Sequence, residues 1–325
     1  MAINNDLIQI SNEIQQKKQD AREKLQQESL NSQSVDSIVF PAFSFKSTDT
    51  YVRAFPWKYN GFILHLGSIT IIVDPGVDFL SRCLFSNINI MQPNTIFISH
   101  GHLDHYASAS GMLEVMASEH KEKRIRFIAS KEFYKQRVIS NWHLNKEKGG
   151  LSNIESLTAS PHKKITLNNN TQLTPTPLIH SIKGAMGFTL QYKNLTIGYI
   201  SDTGYTKSFR TNSGDIYNTG EPYKGTFKEI ISKHEYIKKL YKDVDYLICN
   251  VNDYTFTKHS KTHLSGYDIA DIIKGTKIKK CIITHLNQLD LSDNTYSKMI
   301  AKEIQLNSGV PTVTVQEDGL ALELI

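Results

Sequence analysis

The hydrophobic rhythm of the chain changes at residue 37. Before it, Asn5 to Ser29 is rich in Gln, Lys and Glu, and Leu7, Ile10, Ile14, Ala21 and Leu25 recur at spacings of three, four and seven. This predicts a polar helix with a thin apolar stripe, interrupted by Lys17 and Lys18, that docks on the domain surface or pairs with a partner helix. Asn31 to Asp36 reads as a linker with turn chemistry. From Ser37 onward the pattern becomes short apolar runs of strand length. They are Ile38–Phe45, Tyr51–Phe55, Gly61–Leu66, Ser68–Val73, Ile96–Ile98, Arg126–Ala129, Ile154–Leu157, Lys164–Leu167, Gln172–Pro177, Tyr246–Asn250 and Lys280–Thr284. Gly187–Tyr192 and Leu195–Ile200 predict a hairpin turning at Lys193-Asn194, and Val310–Ile325 a terminal strand pair. Helical periodicity covers Tyr106–Glu119, Lys131–His143, Tyr236–Tyr241, Tyr267–Lys274 with Ser265 as its N-cap, and Ser297–Asn307. Asn145–Asn153 reads as a loop. Thr206–Glu235, with Gly214, Gly220, Pro222 and Gly225, reads as an irregular excursion that faces substrate near the site mouth.

Composition narrows the class without naming a function. The 325 residues are 39% hydrophobic and 21% charged, an ordinary globular balance with length for a sizeable core. A net charge of +5 is too small to single out an anionic partner. Cys83, Cys249 and Cys281 are few and far apart, which argues for buried free thiols rather than a disulfide framework. The first ten residues lack the basic start and apolar stretch of a signal peptide, and no apolar run approaches the ~20 residues of a spanning helix. A cytoplasmic protein without a membrane partner is expected.

The chemistry concentrates after Ile96–Ile98, in His100-Gly-His102-Leu-Asp104-His105. Alternate side chains of an extended segment face the same way, so His100, His102 and Asp104 can meet one pocket. His105 joins them only if the backbone turns, as it would with Asp104 as the N-cap of the next helix. Three imidazoles and a carboxylate in six residues crowd a single ion. They suit two adjacent metals completed by ligands from distant parts of the chain. His65, inside a strand pair, reads as a structural histidine.

The pattern H-x-H-x-D-H resembles the signature of the metallo-β-lactamase-fold hydrolases. The resemblance implies an α/β (α+β) chain folded as a four-layer αββα sandwich. It covers residues 37–325 as one domain, with residues 1–36 as the N-terminal polar helix and linker outside it. It places Asp74, in Ile-Val-Asp74-Pro-Gly, behind the site as a carboxylate that orients a ligand histidine. His180, at the end of Gln172–Pro177, and Asp202, at the end of Leu195–Ile200, match the family's third histidine and bridging aspartate. His285, after Lys280–Thr284, matches the final histidine. The implied sets are His100, His102 and His180 for one metal and Asp104, His105 and His285 for the other, with Asp202 bridging. Two divalent ions are implied, Zn first, with Mn or Fe also compatible with a His/Asp mixture. In the family a metal-bridging hydroxide attacks the substrate, and Asp104 also helps orient it.

His263, in His263-Leu-Ser, resembles a histidine that contacts phosphate or assists the leaving oxygen in the phosphodiesterase and nuclease branches. Lys183, Lys258 and Lys261 are candidates for phosphate contacts. A phosphodiester substrate, nucleotide or nucleic acid included, is therefore the leading expectation. Lactone, carboxylic ester or thioester hydrolysis is the alternative enzyme. A non-catalytic metal-binding sensor or homo-oligomeric interaction module is the alternative outside enzymes. The chain departs from the transfer-RNA processing enzymes in lacking their Gly/Pro-rich arm, and from the RNA- and DNA-cleaving subgroup in its short Asp202–His263 spacing. No motif histidine is replaced by Glu, which favours hydrolysis over flavodiiron redox chemistry.

Overall fold

Strands that are apolar on both faces must be covered on both faces, and that requirement sets the layering of this chain. The computed structural model describes residues 35–41, 61–90, 92–119, 124–144, 153–286, 295–314 and 320–324, with scattered helical positions between 13 and 20. The N-terminal helix and linker, the strand expected over Tyr51–Phe55 and the loop over Asn145–Asn153 lie wholly or mostly outside these residues.

The first sheet contains β1 (Ser37–Phe40), β2 (Phe62–Leu66), β3 (Ile69–Val73), β4 (Thr95–Phe97), β5 (Ile125–Ser130), β6 (Ile154–Ala159) and the last strand, β18 (Leu320–Glu323), in the order β18-β1-β2-β3-β4-β5-β6. The second contains β7 (Ile165–Asn168), β8 (Thr171–Pro177), β9 (Met186–Tyr192), β10 (Leu195–Ile200), β14 (Tyr246–Asp253), β16 (Lys280–Thr284) and β17 (Thr312–Thr314), in the order β17-β16-β14-β10-β9-β8-β7. Each sheet is antiparallel in one half and parallel in the other.

Alternation along each strand divides the core. Phe62, Leu64, Leu66, Ile71 and Val73 face Phe188, Leu190, Tyr199, Ile248 and Ile282 in the layer between the sheets. Ile63 and Ile72 point the other way, into a cluster with α1 (Phe79–Phe85), α3 (Ala109–Glu119) and α4 (Lys131–Gln136). On the second sheet Leu247, Cys249, Val251, Cys281 and Ile283 face α6 (Glu235–Tyr241), α7 (Gly266–Ile273) and α8 (Thr295–Ser308). The result is the expected αββα sandwich. All three cysteines are buried and free, and His65 is buried with Nδ1 3.3 Å from Thr70 Oγ1.

Several elements depart from expectation. The helix after the motif is divided into α2 (Leu103–Tyr106) and α3. Lys131–His143 is also broken, because Arg137 takes a left-handed φ of 56° that ends α4 before α5 (Asn141–Leu144). The terminal strands do not pair with each other: β17 joins β16 in one sheet and β18 joins β1 in the other, each seeking an open edge.

Thr206–Glu235 is not an irregular loop. It forms a three-stranded antiparallel arm, β11 (Thr206–Thr211), β12 (Ile216–Asn218) and β13 (Phe227–Lys233), and Gly214, Gly220 and Gly225 take positive φ in its turns. Phe209 stacks on Phe256 at 4.4 Å and Phe227 on Tyr267 at 4.0 Å, so aromatic packing binds the arm to the body. At its base Asp271 of α7 accepts from Tyr205 OH at 2.5 Å and Lys233 Nζ at 2.7 Å, and Thr206 Oγ1 donates to Asp268.

Asp271→Ala is expected to release both base strands at a cost of about 1 kcal/mol. Limited proteolysis should then nick residues 206–233 first. A digestion pattern identical to that of the wild-type chain would show that the aromatic cluster alone holds the arm.

Candidate metal centre

The parallel strands β3, β4, β10, β14 and β16 end at one edge of the sandwich, the usual position of a site in open α/β sheets. β4 delivers Ser99 and His100 to it. His102 then takes extended φ and ψ as the N-cap of α2, although its side chain makes no capping bond. Asp104 is not the N-cap expected for it; it lies in the first turn of α2, and that turn swings His105 back beneath His100, with ring centroids 3.9 Å apart. The sheet ends add His180 after β8, Asp202 after β10 and His285 after β16.

The residues singled out in the sequence form two adjoining groups, His100, His102, His180 and Asp202 in one and Asp104, His105 and His285 in the other. In the first, His102 Nδ1 lies 3.1 Å from His100 Nε2 and 3.0 Å from His180 Nε2. In the second, His285 Nε2 lies 3.2 Å and His105 Nε2 3.7 Å from Asp104 Oδ2. Asp202 sits between them: its Oδ2 is 3.5 Å from His105 Nε2, 3.8 Å from His180 Nε2 and 3.9 Å from His100 Nε2.

The outer nitrogens are already engaged, which fixes the tautomers. His100 Nδ1 is 3.0 Å from Ser99 Oγ, His180 Nδ1 donates to Thr262 O at 2.9 Å, and His105 Nδ1 donates to Asp74 Oδ2 at 2.8 Å. The inner nitrogens of His100 and His180 therefore present lone pairs to a common point, an arrangement that fits a bound cation. The donor set of imidazole nitrogens and carboxylate oxygens suits Zn²⁺ or another divalent transition ion.

Asp74 has no exposed surface and carries four donors: Ser99 N at 2.7 Å, Ser99 Oγ at 2.6 Å, Tyr199 OH at 2.7 Å and His105. Ser99, Tyr199, Ser201 and Thr262 were missed from the sequence. Nothing local marks them, since each acts across a long separation. Gly204 follows Asp202 closely and runs beneath the Lys261 carbonyl oxygen, with which any Cβ would collide. This contact seats the segment whose Thr262 carbonyl holds His180.

His263 belongs to neither group, yet its Nε2 is 3.2 Å from Asp202 Oδ2, and its ring lies 5.0 Å from His180. Its Nδ1 is 3.1 Å from Thr262 Oγ1, and the capping of α7 falls to Ser265, so His263 does not cap the helix. Lys183, Lys258 and Lys261 are exposed.

Burial pushes His100 well below the usual imidazole range, with the charge of His105 adding to it, and burial brings His180 down to about 4. Burial also opposes charge on His105, but the Asp202 and Asp74 carboxylates overcome it and raise this imidazole to about 10. Burial acts against Asp104 as well, yet the hydrogen bond from His285 and the charge of His105 hold it at about 2.

In the metal-free protein His105 is thus an imidazolium at neutral pH. Its contribution to stability is complete below the ordinary value of 6.5 and is lost as pH rises through about 10. Metal uptake at pH 8 is expected to release about one proton from it. Calorimetric titration in buffers of different ionisation enthalpy measures this number. An enthalpy independent of buffer would place His105 outside the ligand set.

Residues 70–216 match the beta-lactamase superfamily domain. An uncharacterized protein of Methanocaldococcus jannaschii is 24% identical over 82% of this chain and 87% of its own length. A ribonuclease Z of Methanococcus maripaludis is 27% identical over 40% of this chain and 43% of its own. Among solved structures, the metallo-beta-lactamase fold protein YhfI from Bacillus subtilis superposes with a TM-score of 0.63 at 15% identity, over 89% of this chain and all 100% of that one. A diphosphatase of the PhnP family gives 0.57 at 16% identity over 89% and 98%, and the short form of human tRNase Z gives 0.55 at 12% over 89% and 100%. No helix among the described residues is long and apolar enough to cross a membrane. The chain has the metallo-β-lactamase fold, and its residues 70–216 match the model of the beta-lactamase superfamily domain.

Proposed function

We propose that the chain is a dinuclear metal-dependent phosphodiesterase. The observation that carries this reading is His263, a half-buried imidazole outside both ligand groups whose Nε2 is directed at Asp202 Oδ2 from 3.2 Å. His100, His102 and His180 hold one divalent cation, Zn²⁺ first, and Asp104, His105 and His285 hold a second, with Asp202 between them. Two such ions supply an activated water and Lewis acidity toward a phosphoryl oxygen. A single domain over residues 37–325 goes with this reading, and the pairing of β1 with β18, which joins the two ends of that span, supports it.

The protein's own groups do the remaining work. Asp74 holds His105 by its Nδ1–H, so that Nε2, once it gives up its proton, faces the site with its lone pair. Asp104, kept ionised by His285 and His105, presents an acceptor that orients the attacking water. Thr262 Oγ1, 3.1 Å from His263 Nδ1, steadies the ring. Nε2–H can then pass its proton to the leaving oxygen as the P–O bond breaks, so that an alcohol rather than an alkoxide departs. A diphosphatase and a tRNase Z share the fold, which supports this substrate class over carboxylic esters, lactones and thioesters. A cytoplasmic location goes with the proposal.

Metal content and hydrolysis of bis(p-nitrophenyl) phosphate, measured on the wild type, Asp104→Ala and His263→Ala, test the reading. The wild type is expected to hold two equivalents and to turn the substrate over, and Asp104→Ala to lose both metal and activity. His263→Ala should keep its metal and lose kcat by roughly 10²–10⁴-fold. Full activity in His263→Ala would remove its role in the reaction. A metal-loaded wild type inert to phosphodiesters but active on lactones or thioesters would replace the substrate class. Metal binding without turnover on any of these would leave a metal-binding module.

A further inference from the structure

β14 runs between the two strands that deliver Asp202 and His285. In register, Cys249 pairs with Ile200 of β10, and Asn250 pairs with Thr284 of β16, one residue before His285. Asn250 is therefore the β14 residue level with the site, and it is 3% exposed. Its neighbours on the strand, Cys249 and Val251, face the helix-side core. Its Nδ2 donates to Asp202 Oδ1 at 2.9 Å, while its own Oδ1 has no hydrogen-bond partner among the described residues. A buried carboxamide with an unsatisfied oxygen is a poor packing choice in an apolar strand; leucine would fill the space without an orphaned acceptor. A functional reason for asparagine lies in what its donor does to Asp202.

The two oxygens of Asp202 are treated differently. Oδ2 faces four imidazole nitrogens, those of His263 at 3.2 Å, His105 at 3.5 Å, His180 at 3.8 Å and His100 at 3.9 Å. Oδ1 faces the Asn250 amide, with His285 Nδ1 at 3.7 Å. Without the amide, the carboxylate is free to rotate about its terminal torsion, which has only a broad twofold preference. An aspartate at position 250 would set a second carboxylate against the first, and the repulsion would shift both. The carboxamide is neutral, and its N–H bond to Oδ1 is charge-assisted.

We infer that Asn250 is a positioning residue that holds the Asp202 carboxylate by Oδ1 and so keeps Oδ2 turned toward the imidazoles of the proposed metal positions. It acts through Asp202 and touches neither substrate nor reacting atoms. The inference rests on the metal assignment proposed above, and its failure can be told apart from the failure of that assignment.

The test compares Asn250→Leu and Asn250→Ala with the wild type and with Val251→Ala. The last truncates the neighbouring core residue and leaves Asp202 untouched. Each protein is loaded with Zn²⁺ and titrated with a chelator, and the retained metal is measured. Each is also loaded with Co²⁺ at saturation, and its visible absorption, which reports the geometry around the ion, is recorded. Asn250→Leu and Asn250→Ala are expected to release metal at roughly 10–100-fold lower chelator concentration and to show an altered cobalt spectrum. Val251→Ala, though less stable to heat, should match the wild type in both. Retention and spectra unchanged in both Asn250 variants would overturn the inference while leaving the metal centre intact. Equal losses in Val251→Ala would also overturn it, by reducing Asn250 to a packing residue. A wild-type chain that binds no metal would overturn both this inference and the function it rests on.

Discussion

The Asp74 carboxylate is the interaction on which the rest of the site depends. A carboxyl group with no exposed surface is costly unless its oxygens find donors, and here four donors meet them. The donors come from both sheets. Ser99 and His105 follow β4 of the first, and Tyr199 lies in β10 of the second. Ser201 Oγ, also from the second sheet, donates to Ser99 Oγ at 2.8 Å and extends the network. The same carboxylate therefore ties the two halves of the sandwich at their shared edge and sets the ring of His105. Position and tautomer of one imidazole are thereby coupled to the packing of the whole fold.

Backbone strain is placed at the same edge. Asp74 has φ of 46° and His285 φ of 66°, left-handed values that non-glycine residues adopt at a cost. Both residues directly follow strands, β3 and β16, so the left-handed turn ends the extended run at the edge of the sheet. The turn folds Asp74 under Ser99 and brings His285 toward Asp104. Each conformation is held in place, Asp74 by its four donors and His285 by the Asp104 carboxylate at 3.2 Å.

Much of this was legible in the sequence because it is local or ordered along the chain. Strands buried on both faces write continuous apolar runs, and those runs predicted the strands, while the layering came from the family resemblance of the motif. The motif His100 to His105 is contiguous, and His180, Asp202 and His285 each stand just past such a run, so the chain displays the residues of the candidate site in the order in which the sheets deliver them. The arm was not legible: its strands are short and interrupted by Gly214, Gly220 and Gly225, and they are held by Phe256 and Tyr267, which lie far along the chain. β17 and β18 misled for a related reason. Neighbours in sequence resembled a hairpin, but the open edges belonged to different sheets. The inner support of the site, Ser99, Tyr199 and Thr262, is common residue types in unremarkable positions and becomes meaningful only through separations of 25 to 125 residues from the groups it holds.

The arm and the site are not independent. α7, which grips the base of the arm through Asp268 and Asp271, begins immediately after His263-Leu264 and is capped by Ser265, whose side chain and Asp268 form a reciprocal pair. Asp268 thus serves two ends, accepting from Thr206 at the root of β11 and from the backbone N–H of Ser265 at the start of α7. A displacement of the arm root would reach the helix start through that one carboxylate, and from there it has only two residues to travel to His263. The Gly204 contact with Lys261 closes the circuit from the other side, since the chain leaving Asp202 passes under the segment that carries both Thr262 and His263. His263 is therefore fixed by the same elements that carry the arm.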